Sequence, residues 1–337
     1  MTGRRPLRSR EDSQIDALMH AYEGDVPGAS LLVLHEGEAV VRRAYGCADL
    51  EHHVAASHAT NYRLASLTKQ FTAAAVLLLV EESRLSLEAS IRAWLPSLPA
   101  VADRVTLRHL LTHTSGVLDY EDLIPANRRN PLHDADVLQL LEAEDRTYFP
   151  PGAGYRYSNS GYALLALVVA AAAGMDFAAV LRMRIFAPLG MHHTVAHEEG
   201  ASTVTHRAFG YSERHGRWLR TDQNMTSAVL GDGGIYSSAD DWEKWDAALS
   251  DDRLLRPDSL RLAFTAATAT DDPSIAYGFG WRITQEHVWH SGESIGFRNA
   301  VVRFPARRLT VLVLTNRDEP GPYPIALRIA ELVNPRC

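Results

Sequence analysis

The chain has 337 residues, of which 46% are hydrophobic and 22% charged, with a formal net charge of −7. This is the composition of a globular, enzyme-sized chain of one large or two medium domains. The negative balance gives no electrostatic reason to expect nucleic acid or an anionic membrane as partner. Two cysteines, Cys47 and Cys337, build neither a disulfide framework nor a cysteine zinc site.

Residues 1–10 carry four arginines and are followed by EDSQIDALMHAYEGD rather than an apolar core. They read as a solvated tail, and a cytoplasmic location is expected rather than export. Residues 28–34 and 39–45 are apolar runs separated by His35-Glu36-Gly37-Glu38, the pattern of a β-hairpin. Residues 66–83, SLTKQFTAAAVLLLVEES, predict a long, mostly buried helix. The apolar run Ala73–Val80 is too short to span a bilayer, and no membrane insertion is expected. From about 104 to 190 the signals are helical, interrupted at 151–161 by the loop PGAGYRYSNSG. After about 230 strands return in GFGWRIT, HVWHS, RNAVVRF and TVLVLTN, and PIALRIAELV closes the chain as an amphipathic helix. Strands from both ends are therefore expected in one antiparallel sheet, with the helical middle inserted between them.

Three short stretches carry chemistry. Ser66 and Lys69 lie three residues apart at the start of an apolar helix, so their side chains share one face. The unpaired N–H groups of a helix start favour an oxyanion there. A serine hydroxyl is a weak nucleophile until a base takes its proton, and a desolvated lysine can be that base. The chain's 34 basic residues divide into 32 arginines and only 2 lysines, Lys69 and Lys244, which makes the placement of Lys69 informative. A plain serine cap with a solvated lysine is the competing reading of this motif.

The second stretch is Tyr157-Ser158-Asn159, just before a helix. A tyrosine beside an ammonium group is a proton acceptor and donor, and an asparagine can hold a lysine and a substrate carbonyl. Helix capping is the alternative. The third is His290-Ser291-Gly292 between two strand-like runs. A strand edge there can supply a backbone N–H to an oxyanion, and His290 adds a donor whose charge changes near neutral pH.

In that order, S-x-x-K, Y-S-N and H-S-G resemble the three signature elements of the serine β-lactamase and penicillin-binding-protein superfamily, in the branch of class C β-lactamases, DD-carboxypeptidases, esterases and D-aminopeptidases. LLTHTSGV at 110–117, GGIYSSADDWEKW at 233–245 and YGFGW at 277–281 fit the same group. The resemblance covers about 25 to 335. It implies an α/β (α+β) fold with a mainly antiparallel sheet flanked by helices, formed from 11–65 and 225–337, and a mainly helical second domain over 66–224, the active site lying between them. It implies Ser66 as the acylated nucleophile, Lys69 and Tyr157 sharing the proton transfers, and Asn159 binding the substrate carbonyl and steadying Lys69. It places the oxyanion between the backbone N–H groups of Ser66 and Glu293, with His290, Ser291 and Gly292 lining the site.

Expected from this are a serine hydrolase without metal or organic cofactor and a small-molecule ester, amide or β-lactam as substrate. His290 stands where β-lactamases carry lysine, so a permanent cation is missing unless Arg298 replaces it, and the balance moves from β-lactamase towards esterase, D-amino-acid peptidase or carboxypeptidase-like activity. Acyl transfer on the same site, or a catalytically silent binding protein with this fold, are the alternatives. The oligomeric state and the role of Asp232, in an unusual GDGG run, are not legible.

One competing motif is present. Gly292-Glu293-Ser294-Ile295-Gly296 matches the G-x-S-x-G nucleophile elbow. An elbow needs a helix after its serine and a histidine later in the chain. FRNAVVRF reads as a strand and no histidine follows His290, so Ser294 is expected in a turn between strands. His52-His53 and His192-His193 lack metal-ligand spacing, His113 reads as a structural histidine, and Trp242 and Trp245 read as core.

Overall fold

The computed structural model describes residues 9–334. One eight-stranded sheet organises them. Its strands are β1 (Ala29–His35), β2 (Glu38–Tyr45), β3 (Thr268–Ala269), β4 (Ala276–Tyr277), β5 (Arg282–Ile283), β6 (Val288–Ser294), β7 (Phe297–Phe304) and β8 (Leu309–Thr315). All neighbours are antiparallel, in the spatial order β3-β4-β5-β6-β7-β8-β1-β2. The expected pairing of the two ends is present as β1 against β8, with Ala29 opposite Thr315 and His35 opposite Leu309. Glu36 and Gly37 close the β1–β2 hairpin with φ of 55° and 83°, the left-handed pair that a two-residue turn of this twist requires.

The helices that position the site are α1 (Ser9–Met19), α2 (Lys69–Glu81), α3 (Asp134–Glu142), α4 (Asn159–Ala173), α5 (Ala239–Ala248) and α6 (Pro322–Val333). α1 and α6 cover one face of the sheet, where Ile15, Met19, Ile329 and Ala330 pack on Leu31, Val33, Val311 and Val313. On the other face Leu32, Leu34, Val301 and Leu312 join the large core of α2, α4 and α5. Both faces are buried, which is why β1 and β8 are apolar runs rather than alternating ones. Trp242 and Trp245 are fully buried against Phe71, as expected of core.

Two boundaries differ from the sequence reading. Residues 1–8 of the expected tail lie outside the described residues, while Ser9 and Arg10 open α1. The helix expected over 66–83 begins as a 3-10 turn, Ala65–Thr68, before α2 proper. Ala65 has φ +50°, a left-handed conformation that costs a non-glycine residue about 1–3 kcal/mol, one residue before Ser66. Among the described residues no single helix is long and apolar enough to cross a membrane.

Candidate active site

The 3-10 turn delivers Ser66 to the floor of a small open cleft. Arg63, Tyr120, Glu121, Asn159, Asp232, Glu293 and Ser294 line the same cleft. A larger hollow along β3 to β5 contains none of these residues.

Lys69, fully buried one helical turn on, organises the floor. Its Nζ donates to Ser66 Oγ at 3.1 Å, Asn159 Oδ1 at 2.8 Å and the Asp232 backbone oxygen at 3.0 Å. Three donors meet three acceptors, so the ammonium is held on one line to the serine hydroxyl. The Gly280 Cα packs on the start of α2: a Cβ there would lie 2.9 Å from the Lys69 carbonyl oxygen. This accounts for the glycine-rich YGFGW run.

Asn159, the first residue of α4, is fixed from three sides. Its Oδ1 is on Lys69, its Nδ2 donates to Glu121 Oε1 at 2.7 Å, and its backbone N–H donates to Asp119 Oδ2 at 2.8 Å. Its second Nδ2–H has no partner among the described residues. His113 positions the loop before it. Its Nδ1 accepts the Ser158 N–H at 3.1 Å, and its ring lies on that of Tyr157 with centroids 4.3 Å apart. Burial pushes His113 well below its usual range, so it is a neutral structural acceptor, as expected from the sequence. Tyr157 is close to Lys69 through its ring, Nζ being 5.1 Å from the centroid; its hydroxyl makes no hydrogen bond among the described residues.

The third motif lies on β6. β5 pairs only with Val288 and Trp289, so His290–Ser294 leave one edge open towards the Ser66 turn. Ser294 and Phe297 flank the two-residue turn Ile295-Gly296 and form its hydrogen-bonded pair. By antiparallel alternation Glu293 and Arg298 are a non-hydrogen-bonded pair, which directs the Glu293 N–H to the open edge. Gly292 permits the approach: a Cβ there would fall 2.0 Å from the Leu64 carbonyl oxygen. Ser294 ends a strand, is followed by a turn and β7, and its buried Oγ has no partner. It is not an elbow serine, although it lines the cleft.

His290 departs from the expectation of a donor that titrates near neutrality. It is buried, its Nδ1 donates to Ser291 O at 2.6 Å, and its Nε2 accepts from the Tyr277 hydroxyl at 2.9 Å. Burial first, then the charge of Arg282, lowers its pKa to about 3. It is neutral at pH 7 and does not line the cleft. Arg298 supplies no replacement cation: it donates to the Ser294 and Phe297 carbonyls at 2.8 and 2.9 Å and faces Glu293 and Asp318, each at 3.7 Å.

One carboxylate, Asp134, escaped the sequence reading, and another, Asp232, was left there without a role. Asp134 on α3 accepts the Leu230 and Gly231 N–H groups, both at 2.9 Å, and so holds the GDGG turn. Asp232 in that turn is 6% exposed, accepts the Tyr120 hydroxyl at 2.9 Å through Oδ2, and has a pKa raised to about 8, chiefly by burial. Only the odd GDGG composition hinted at Asp232; nothing in the local sequence pointed to Asp134.

A seryl–lysyl pair under a strand edge, beside an asparagine and a tyrosine, defines a class of acyl-transferring hydrolases. The profile of the β-lactamase family matches residues 12–333. The chain belongs to this family and is a serine hydrolase of it. It is 32% identical over 329 residues to penicillin-binding protein 4* of Bacillus subtilis, covering 91% of this chain and 71% of that protein. To a D-aminopeptidase of Gluconobacter oxydans it is 28% identical over 91% of this chain, and it spans 59% of that protein's length. The structure of a D-amino acid amidase from Ochrobactrum anthropi superposes with a TM-score of 0.82 at 25% identity, covering 96% of this chain and 98% of the amidase.

Proposed function

We propose that Ser66 is the nucleophile of an acyl-enzyme hydrolase that acts on small esters or amides, in the manner of an esterase or D-amino-acid peptidase rather than a β-lactamase. The observation that carries this reading is the three-point hold of Lys69 on Ser66, Asn159 and the Asp232 carbonyl. Once its Nζ has passed one proton on, Lys69 takes the Ser66 proton along the 3.1 Å line as Oγ bonds to the substrate carbonyl carbon. The oxyanion that forms is met by the N–H groups of Ser66 and Glu293. The tetrahedral carbon collapses, the leaving alcohol or amine departs with a proton supplied through Lys69 and Tyr157, and water then hydrolyses the ester at Ser66. The cleft lies between the sheet part, 11–65 with 225–337, and the helical part, 66–224. The names of the D-aminopeptidase and the D-amino acid amidase support the amide reading. A neutral, buried His290 and a committed Arg298 weigh against a carboxylate-binding β-lactamase site.

Intact-mass analysis after incubation with a fluorophosphonate tests the assignment. An adduct is expected on wild type and Ser294→Ala and none on Ser66→Ala. An adduct that survives Ser66→Ala and disappears in Ser294→Ala refutes it.

A further inference from the structure

A cavity of about 760 Å³ lies at the other end of the central strands and shares no residue with the Ser66 cleft. Register fixes its place. Gly292–Ser294 end β6 beside the cleft, whereas Arg303 of the cavity wall pairs with Val288, which begins β6, about 20 Å along the strand from Ser294. The floor is apolar. Leu34, Leu249, Phe304 and Leu309 are buried there, and the Arg303 guanidinium lies 5.6 Å from the centre of the Phe264 ring. The polar wall is built around Arg303, which is only 9% exposed. Its Nε donates to Asp246 Oδ1 at 2.7 Å and its Nη2 to Ser250 Oγ at 2.9 Å, and Thr310 Oγ1 donates to the same Asp246 oxygen at 2.8 Å. Arg303 Nη1 makes no hydrogen bond among the described residues, yet it is not sealed off in the interior. Three carboxylates line the cavity, and each faces a guanidinium: Asp246 that of Arg303, Asp251 that of Arg253 and Glu243 that of Arg42 on β2. Arg308, in the turn between β7 and β8, also lines the cavity, and its side chain has no hydrogen bond or ion pair among the described residues. The wall thus carries a cation that no carboxylate balances, and spare N–H groups on two side chains that can only donate.

We propose that this cavity is a binding site for a monocarboxylate with an apolar body, its carboxylate seated on Arg303 Nη1 and Arg308 and its body on the apolar floor. The proposal is independent of the assignment of Ser66. A guanidinium matches a carboxylate in plane and in spacing of donors, and a pair formed against a part-buried wall is screened less than one in open water. The cavity volume falls inside the range of about 300–1,000 Å³ typical of small-molecule sites, and an apolar lining with a few fixed polar groups is their usual make-up. An alcohol of the same shape leaves the spare donors without an anion. An ammonium group adds to the excess of positive charge. Asp246 Oδ2 also makes no hydrogen bond among the described residues, which makes an ammonium ligand the rival to be tested.

The test is calorimetric titration of the whole chain at neutral pH with octanoate, octylammonium and octanol, which share one apolar body. Octanoate is expected to bind with a Kd below about 1 mM, and about tenfold or more tightly than either of the others. Arg308→Gln is expected to weaken octanoate about tenfold and to leave octanol unchanged. Ala247→Phe, which places a ring in the cavity from α5, is expected to abolish octanoate binding. Octylammonium binding as tightly as octanoate overturns the proposal and points to Asp246 instead. An octanol affinity equal to that of octanoate overturns it too, as does no octanoate binding up to about 1 mM. Octanoate affinity unchanged in Arg308→Gln removes the proposed seat, and affinity unchanged in Ala247→Phe places the ligand elsewhere, the Ser66 cleft included; either result overturns the proposal. Should Ala247→Phe not fold, Arg308→Gln, in an exposed turn, carries the same test.

Discussion

Gly292→Ala is the sharpest probe of how the strand edge serves the site. The new Cβ lies 2.0 Å from the Leu64 carbonyl oxygen and 3.2 Å from its carbon, and separations under 3.0 Å do not persist. Leu64 cannot retreat freely, because its N–H donates to Ile235 O at 2.8 Å and its carbonyl accepts from Asn299 Nδ2 at 3.3 Å. The strand must move by about 1 Å, and Glu293 is the next residue along it. An oxyanion donor displaced that far is effectively lost, a loss of about 10²–10³ in kcat. The fold bears less, since one overpacked methyl costs about 1–3 kcal/mol. The expected result is therefore an enzyme that melts cooperatively a few degrees below wild type and has kcat for an activated ester reduced at least a hundredfold. Steady-state hydrolysis beside thermal circular dichroism checks both halves. Wild-type turnover in folded Gly292→Ala would show that the Glu293 N–H takes no part.

Two further outcomes follow from buried polar groups. His290 has its pKa depressed from 6.5 to about 3, so its contribution to stability is full above pH 6.5 and is lost as pH falls towards 3. Urea titrations should show wild type losing on the order of a few kcal/mol more than His290→Gln between pH 7 and pH 4, and the pH–rate profile of His290→Gln should keep the wild-type shape between pH 5 and 8. Asp134→Ala strands the buried Leu230 and Gly231 N–H groups, and chemical denaturation should report a destabilisation of about 2–5 kcal/mol; a value under 1 kcal/mol would remove Asp134 as the anchor of that turn.

The parts of this molecule that were legible in its sequence are those fixed by local pattern. Continuous apolar runs marked β1 and β8 because both faces of the sheet are covered. Scarcity of lysine singled out Lys69, and the residues after Gly296 ruled out the serine elbow. What stayed hidden depends on neighbours remote in the chain. The expected titration of His290 held only for a solvated imidazole; Tyr277, thirteen residues earlier, closes over it and commits its Nε2. Arg298 was a free cation on paper, but its own turn's carbonyls claim it. The hold of Asp134 on the GDGG turn spans nearly a hundred residues, and no spacing rule reaches that far. Ala65 offered no warning of its left-handed backbone, since the strain comes from the packing around the turn.

The seating of β1 between β2 and β8 has a bearing on how this chain becomes active during synthesis. Ser66, Lys69 and Asn159 all precede β6 and β8 in the chain, so during synthesis the proposed nucleophile is made before the strand edge proposed to serve it. The opening hairpin must wait for the last strand before its second edge is filled. Hydrolytic competence is therefore expected only once β6 has been seated, so that the appearance of turnover would follow closure of the sheet.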